Sequence, residues 1–251
     1  MGAMRKAAVV LLFALLAGAC SDPPRRPAFE DARALADAAT AATTSGGSAK
    51  FGTDVAVGSV RSKGQGHSRF GAGGTAQVMT TDLLGEPLEL RQVAGKLYAK
   101  VPEGSRDEGG KPWVVVAADG TDPFSQIAGG SLTQLAAQND PAHTLGEIRT
   151  AGTIVAAERG LLDGAAAEHY RVELDLARLG TDLPAGLPAD AAGQVGGKFP
   201  VELWLDEAHR PVQIVLDLSP ILPGSEARIT TRYSDWGSPV DIQPPPAGEV
   251  G

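Results

Sequence analysis

Two periodicities divide the chain. Between residues 29 and 43, Phe29, Ala32, Ala36 and Ala39 recur at helical spacing beside Glu30, Asp31, Arg33 and Asp37. This predicts one amphipathic helix with an alanine-rich buried face. From Ala49 onward the period becomes two. Residues 51–57, 66–81, 87–93, 96–101 and 113–116 read as successive strands, with turn residues at Gly58-Ser59, Gly73-Gly74 and Gly95-Lys96. The later half alternates most strictly. Tyr170, Val172, Leu174 and Leu176 sit between Arg171, Glu173 and Asp175, while Phe199, Val201, Leu203 and Leu205 alternate with Glu202 and Trp204. Val212, Ile214, Leu216 and Leu218 flank Gln213 and Asp217, and Ala227, Ile229 and Thr231 flank Arg228. Such alternation marks an antiparallel sheet covered on one side only.

Helical cover is available in the middle of the chain. Asp122-Pro123 is a cap followed by a first-turn proline, opening a stripe of Phe124, Ile127, Ala128, Ser131, Leu132 and Leu135. Gly129-Gly130 is expected to break that stripe, at about 1 kcal/mol per glycine relative to alanine. Asp140-Pro141 signals a second helix start, residues 179–195 form a Pro/Gly/Ala-rich crossover, and residues 239–251 read as extended. Strands, then helices, then strands predict an α+β fold: a single curved antiparallel sheet with helices on one side.

The N-terminus adds export. Arg5-Lys6 precedes an unbroken apolar run over residues 7–17, followed by Gly18-Ala19 and then Cys20, the chain's one cysteine. The run is a signal peptide and too short for a mature membrane span. A cysteine directly after the small residues is where a lipoprotein is cut and diacylated. The place three before it, commonly leucine, holds Ala17. An ordinary signal peptide with a chance cysteine would leave an exported protein with an unpaired thiol, which weighs against that alternative. The expected organisation is a lipoprotein signal over residues 1–19, Cys20 with a proline-rich tether over 20–28, and one domain over 29–251, exported and anchored to the outer face of the cytoplasmic membrane.

Composition narrows the partners. The chain has 22 basic and 30 acidic residues, a balance of −8 that becomes −10 once Arg5 and Lys6 leave with the signal. That sign excludes nucleic acid as an expected partner and argues against electrostatic docking on anionic lipid. One cysteine permits no intramolecular disulfide. Aromatic residues make up 5% of the chain, compatible with a loosely filled interior and equally with a GC-rich genome.

No constellation for chemistry emerges. His67, His143, His169 and His209 lack metal-ligand spacing. Gly66-His-Ser-Arg-Phe70 fails the nucleophile-elbow pattern at Phe70, and Gly64-Gln-Gly-His-Ser-Arg69 fails the dinucleotide fingerprint at Arg69. Neither an enzyme, a cofactor nor a metal is expected.

A set of modest motifs does point to a family. Lys96-Leu-Tyr-Ala-Lys100 with Pro112-Trp-Val-Val-Val116, the pair Pro200-Val-Glu-Leu-Trp-Leu-Asp206 and Pro211-Val-Gln-Ile214, and the ending Tyr233-Ser-Asp-Trp-Gly237-Ser-Pro-Val-Asp-Ile242 resemble the LppX/LprA/LprF/LprG lipoproteins of actinobacteria. The resemblance implies a LolA/LolB-like half-barrel wrapped around helices, a lipid cavity between them, Cys20 as the acyl site, and a non-catalytic role in moving acylated lipids or glycolipids through the cell envelope. It also implies a membrane transporter as a partner. The alternation itself suggests the cavity walls: Val172, Leu174, Val201, Leu203, Leu205, Ile214, Leu216 and Leu218 on the sheet, opposite Phe124, Ile127, Leu132 and Leu135. These residues could equally pack on one another as a filled core. Two other functions stay open: a sensor module that recognises lipid or lipoprotein and signals by protein contact, and a structural lipoprotein.

Overall fold

The computed structural model describes residues 27–83, 86–106, 110–122, 124–180, 183, 197–220 and 227–251. Among them, eleven strands form one antiparallel sheet. In chain order they are β1 (Ser48–Val57), β2 (Val60–Arg69), β3 (Ala76–Leu83), β4 (Glu86–Val93), β5 (Lys96–Lys100), β6 (Trp113–Val116), β7 (Gly152–Leu162), β8 (Ala165–Asp175), β9 (Lys198–Leu205), β10 (Pro211–Asp217) and β11 (Ala227–Ser234). The spatial order is β6-β5-β4-β3-β2-β1-β11-β10-β9-β8-β7. The two halves of the chain meet where β1 pairs with β11 through Phe51↔Tyr233, Thr53↔Thr231 and Val55↔Ile229. Strands β6 and β7 are unclosed edges. The sheet is therefore open and one-faced as the alternation predicts, and of the half-barrel type that the resemblance implies.

Two strands depart from expectation for identifiable reasons. Strand β2 starts at Val60 rather than Gly66 because its inner face is Ser62, Gly64 and Gly66, too small and polar to show alternation. Strand β7 was not expected at all. It is an edge strand, mostly exposed, and a bulge between Ile154 and Ala156 shifts its register. Both features erase a period of two.

Helices fill the inner side. Helix α1 (Ala32–Gly46) starts where the Ala34 N–H donates to Asp31 Oδ1 at 2.8 Å, and it buries Leu35, Ala36, Ala39 and Thr43. Its alanines let α3 (Pro141–Ala151) pack closely, and Arg149 Nε meets Asp37 Oδ1 at 2.9 Å across the pair. The cap-plus-proline start expected at Asp140-Pro141 is the start of α3, with the Ala142 N–H donating to Asp140 Oδ1 at 3.0 Å.

The segment before α3 corrects the sequence reading. Gly129-Gly130 does not break the helix: a π-helical turn (Ser125–Gly129) runs directly into α2 (Gly130–Gln138). Gly129 is buried, and a Cβ there would collide with the Ala117 carbonyl oxygen, whereas Gly130 faces open space. The first glycine thus allows a close backbone approach rather than a hinge. Because the π turn holds an extra residue per turn, it rotates the stripe, and Ile127 points out, 86% exposed.

Residues 237–251 form a strap. The Gly237 N–H donates to the Ser48 carbonyl at 2.9 Å, Arg91 Nη1 donates to the Gln243 carbonyl at 3.4 Å, and Val250 bridges Trp113 at the free edge of β6. The strap covers that edge where an unpaired strand would otherwise stand open.

Candidate functional site

The inner face of the sheet divides into two walls. On β8–β11 most inward positions are large and apolar, with Glu168, Ala227 and Thr231 among the exceptions. Tyr170, Val172, Leu174, Phe199, Val201, Leu203 and Leu205 have no accessible surface at all, and Ile214, Leu216 and Leu218 are buried. A side chain with no accessible surface borders no void that water could enter. Helices α1, α3 and α4 (Leu176–Leu179) lie against this wall, so in this conformation it is filled core.

The wall made by β1–β6 differs. Its inward positions include Thr53, Ser62, Gly64, Gly66, Ser68, Gln77, Thr81 and Gln92 beside Phe51, Met79, Leu88 and Leu90. Phe124, Leu135, Val55, Val57 and Val114 pack against the core only partly buried. The cover here is the π turn with α2. Of the expected cavity residues on that cover, Leu132 is buried, Phe124 and Leu135 are half-buried, and Ile127 is displaced outward by the π turn.

Asn139 separates the two walls. It is the chain's one asparagine and has no exposed surface. Its side-chain oxygen accepts from Thr53 Oγ1, its amide approaches Met79 Sδ at 3.4 Å, and its carbonyl accepts from the Tyr233 hydroxyl at 3.3 Å. Nearby, Gln77 Nε2 donates to the Ala136 carbonyl at 2.7 Å. These bonds pin the α2–α3 corner to the middle of the sheet. Burial holds the Tyr233 hydroxyl well above its ordinary pKa, so it stays a donor. Asp140, next in the chain, is raised by burial, against hydrogen bonds that lower it.

A third feature lies at the end of β8. Glu168 faces inward where alternation calls for an apolar residue, and it is 8% exposed. Its carboxylate accepts from Arg159, from the Tyr170 hydroxyl and, at 3.2 Å, from the Ala28 N–H; the Phe29 N–H donates to Tyr170 Oη at 3.3 Å. The Phe29 ring stands edge-on to His209 at 5.0 Å. A carboxylate this buried is tolerated because Arg159, the Tyr170 hydroxyl and the Ala28 N–H all donate to it. Burial, then the Glu168 bond, raises the Tyr170 hydroxyl far above its usual range. The chain leaving the domain toward its N-terminus is thereby clamped between the hairpins β7–β8 and β9–β10.

Sequence reasoning missed Asn139 and the Glu168 clamp. A lone asparagine ahead of a helix cap, and a glutamate in phase with Tyr170 and Val172, were the available signals. Except for His209 in the clamp, the histidines stand apart: His169 stacks on Trp204 at 4.0 Å, His143 lies on α3, and His67 belongs to β2. Among the described residues no group of three His, Cys, Asp or Glu could hold a metal, and no helix is long and apolar enough to cross a membrane. Cys20 and residues 20–26 of the expected tether lie outside the described residues, as does most of the 179–195 crossover.

No family model and no curated protein matches the chain. Solved structures do. The lipoprotein LppX of Mycobacterium tuberculosis superposes with a TM-score of 0.53 at 16% identity, over 84% of this chain and 98% of that one. LprF of Mycobacterium bovis gives 0.48 at 17% identity, over 85% and 96%. A LolA superfamily protein of Nitrosomonas europaea gives 0.37 at 10% identity, over 87% and 96%. The likeness to LppX establishes a shared fold: an open antiparallel half-barrel with helices on its inner side.

Proposed function

We propose that this protein is a membrane-anchored, non-catalytic carrier of acylated lipid or glycolipid in the cell envelope, held by diacylated Cys20. The observation that carries the reading is the open sheet of eleven strands whose apolar inner face is covered by short helices and not by a second sheet. An open sheet can part from helical cover without breaking its own ladder. Its fold is shared with a lipoprotein, and the Cys20 signal agrees.

Extracting lipid costs about 0.8 kcal/mol per methylene, so a 16-carbon chain costs on the order of 12 kcal/mol. Only an enclosed apolar site offsets that. The acyl chain would enter between β1–β6 and the segment holding Phe124, Leu132 and Leu135, where Phe124 and Leu135 are only half-buried. The filled wall of Val172, Leu174, Val201, Leu203, Leu205, Ile214, Leu216 and Leu218 would form its back. A membrane transporter would serve as donor or acceptor.

Mass spectrometry of a soluble form lacking the signal peptide and carrying Cys20→Ala tests the reading: lipid should co-purify. A lipid-free protein that instead captures a stoichiometric protein partner would make it a sensor. In cells, Cys20→Ala should move the protein from the membrane fraction to the soluble fraction. Retention in the membrane would remove the anchor from the account.

A further inference from the structure

The clamp at Glu168 has a geometric consequence for the anchored protein. Antiparallel register sorts the strand ends into two groups. The β7–β8 turn at residues 162–165 and the β9–β10 turn at 205–211 share one end with the clamp. The β1–β2 turn at Gly58-Ser59 and the passage from β8 into α4 share the other. Along β8, Asp175 lies seven residues past Glu168, about 23 Å at the usual strand rise; α4 lies beyond it.

Seven residues lie between Cys20 and Ala28, giving eight Cα-to-Cα steps. Even at full stretch they span at most about 26–29 Å. The far end could therefore reach the membrane that holds Cys20 only with this segment drawn taut along the whole height of the sheet. With the clamp end down, the same segment has slack. A taut chain gives up its conformational freedom, so the slack arrangement is favoured.

The clamp end is also built to meet a surface. Leu161 stands 75% exposed beside the β7–β8 turn. The β9–β10 turn is stiffened by Asp206 Oδ1, which accepts from the Ala208 and Arg210 N–H groups, each at 2.9 Å. Between the hairpins lies an open cleft of about 410 Å³, lined among others by Arg159, Gly160, Glu168, Glu207 and His209. Charges of both signs stand at this end, Asp163 and Glu207 beside Arg159 and an Arg210–Asp206 pair at 2.8 Å, so nearness to lipid is set by the anchor and not by charge.

We propose that the clamp of Ala28 and Phe29 on Glu168 and Tyr170 orients the domain, placing the β7–β8 and β9–β10 turns with Leu161 against the anchoring lipid surface and the Gly58-Ser59 end away from it. The partner is a phospholipid bilayer. This rests on Cys20 being the anchor, a part of the proposed function, and is independent of lipid carriage. Half-buried Val55 and Val57 then lie toward the end facing away from the membrane.

The test attaches the thiol of Cys20, in the full mature chain, to a maleimide-bearing phospholipid in phosphatidylcholine vesicles, which makes the anchor independent of acylation in the cell. An azide-bearing phenylalanine carries a dye at Asp163 or at Ser59, and nitroxide headgroup lipid quenches it. The dye at Asp163 should lose most of its emission and that at Ser59 little. A Gly/Ser spacer of about 12 residues placed before Pro27, spanning roughly 20 Å r.m.s., leaves the clamp intact and should narrow the difference. Phe29→Ala should narrow it without a spacer. Equal quenching at both sites in the unmodified chain, or stronger quenching at Ser59, would overturn the orientation. Lipid retained by the soluble Cys20→Ala form reports separately on carriage.

Discussion

The two walls of the inner face solve the same problem differently. The β8–β11 wall presents long aliphatic and aromatic side chains against α1 and α3, and its residues reach zero exposure. The β1–β6 wall mixes glycine, serine, threonine and glutamine with Phe51, Met79 and Leu90 under a cover that begins in a π turn. The first is held by area and dispersion, which favour dense filling. The second buries Phe51, Met79, Leu88 and Leu90 as well, and adds directed bonds from Asn139 and Gln77, which hold one geometry yet can be exchanged for others.

The sharpest way to break this comparison is to cut each wall equally. Leu203→Ala should cost about 2–5 kcal/mol, because the filled wall leaves a cavity behind. Leu135→Ala, already half-buried, should cost under about 2 kcal/mol for its smaller lost burial. Chemical denaturation of both variants measures the contrast, and equal losses would erase it.

Asn139→Ala comes next. It removes the bond to Thr53 Oγ1, which keeps Thr231 Oγ1 as a partner at 3.2 Å, and should destabilise by about 0.5–1.5 kcal/mol. If the α2 cover gates the site, the same variant should also speed lipid exchange in a fluorescent acyl-chain transfer assay. A loss of stability with unchanged exchange would make Asn139 a purely structural pin.

The glycine pair sharpens the picture of the cover. Gly130→Ala, in open space at the start of α2, should stabilise by up to about 1 kcal/mol. Gly129→Ala should destabilise, since its new methyl would meet the Ala117 carbonyl. Thermal melts of the two single variants decide it, and matching shifts would contradict the close approach.

The smallest effect concerns pH. Asp140 has its pKa raised in the folded state by burial, so its protonated form is the one folding favours. Its contribution should therefore grow as pH falls from neutral through the raised value toward the unfolded 3.8 and be lost as pH rises again. Asp140→Asn keeps a capping side chain and should flatten that dependence. Stability curves of both proteins between neutral pH and the unfolded value provide the measurement.

Much of the architecture was written in the chain. The alternation at 199–205, 212–218 and 227–231 reappears as β9, β10 and β11, and Asp140-Pro141 opens α3. These features are local: a period of two, or a cap with proline, states its geometry within a few residues. The candidate site was less legible. Val172, Leu174, Val201 and Leu203 do point inward, yet alternation tells which face a residue takes and not whether helix or void lies opposite. Ile127 was misplaced because a π turn adds a residue to the helical period without any sequence mark beyond two glycines. Glu168 and Asn139 owe their roles to partners far along the chain, Ala28 and Thr53 among them, and only the closing of the sheet brings those together. Sequence alone determined a one-faced antiparallel sheet with helices to cover it, because those traits follow from short-range pattern. The tertiary structure decided which helix covers which wall and where the chain leaves the domain toward its N-terminus, because buried pairing joins residues that lie 86 and 140 positions apart.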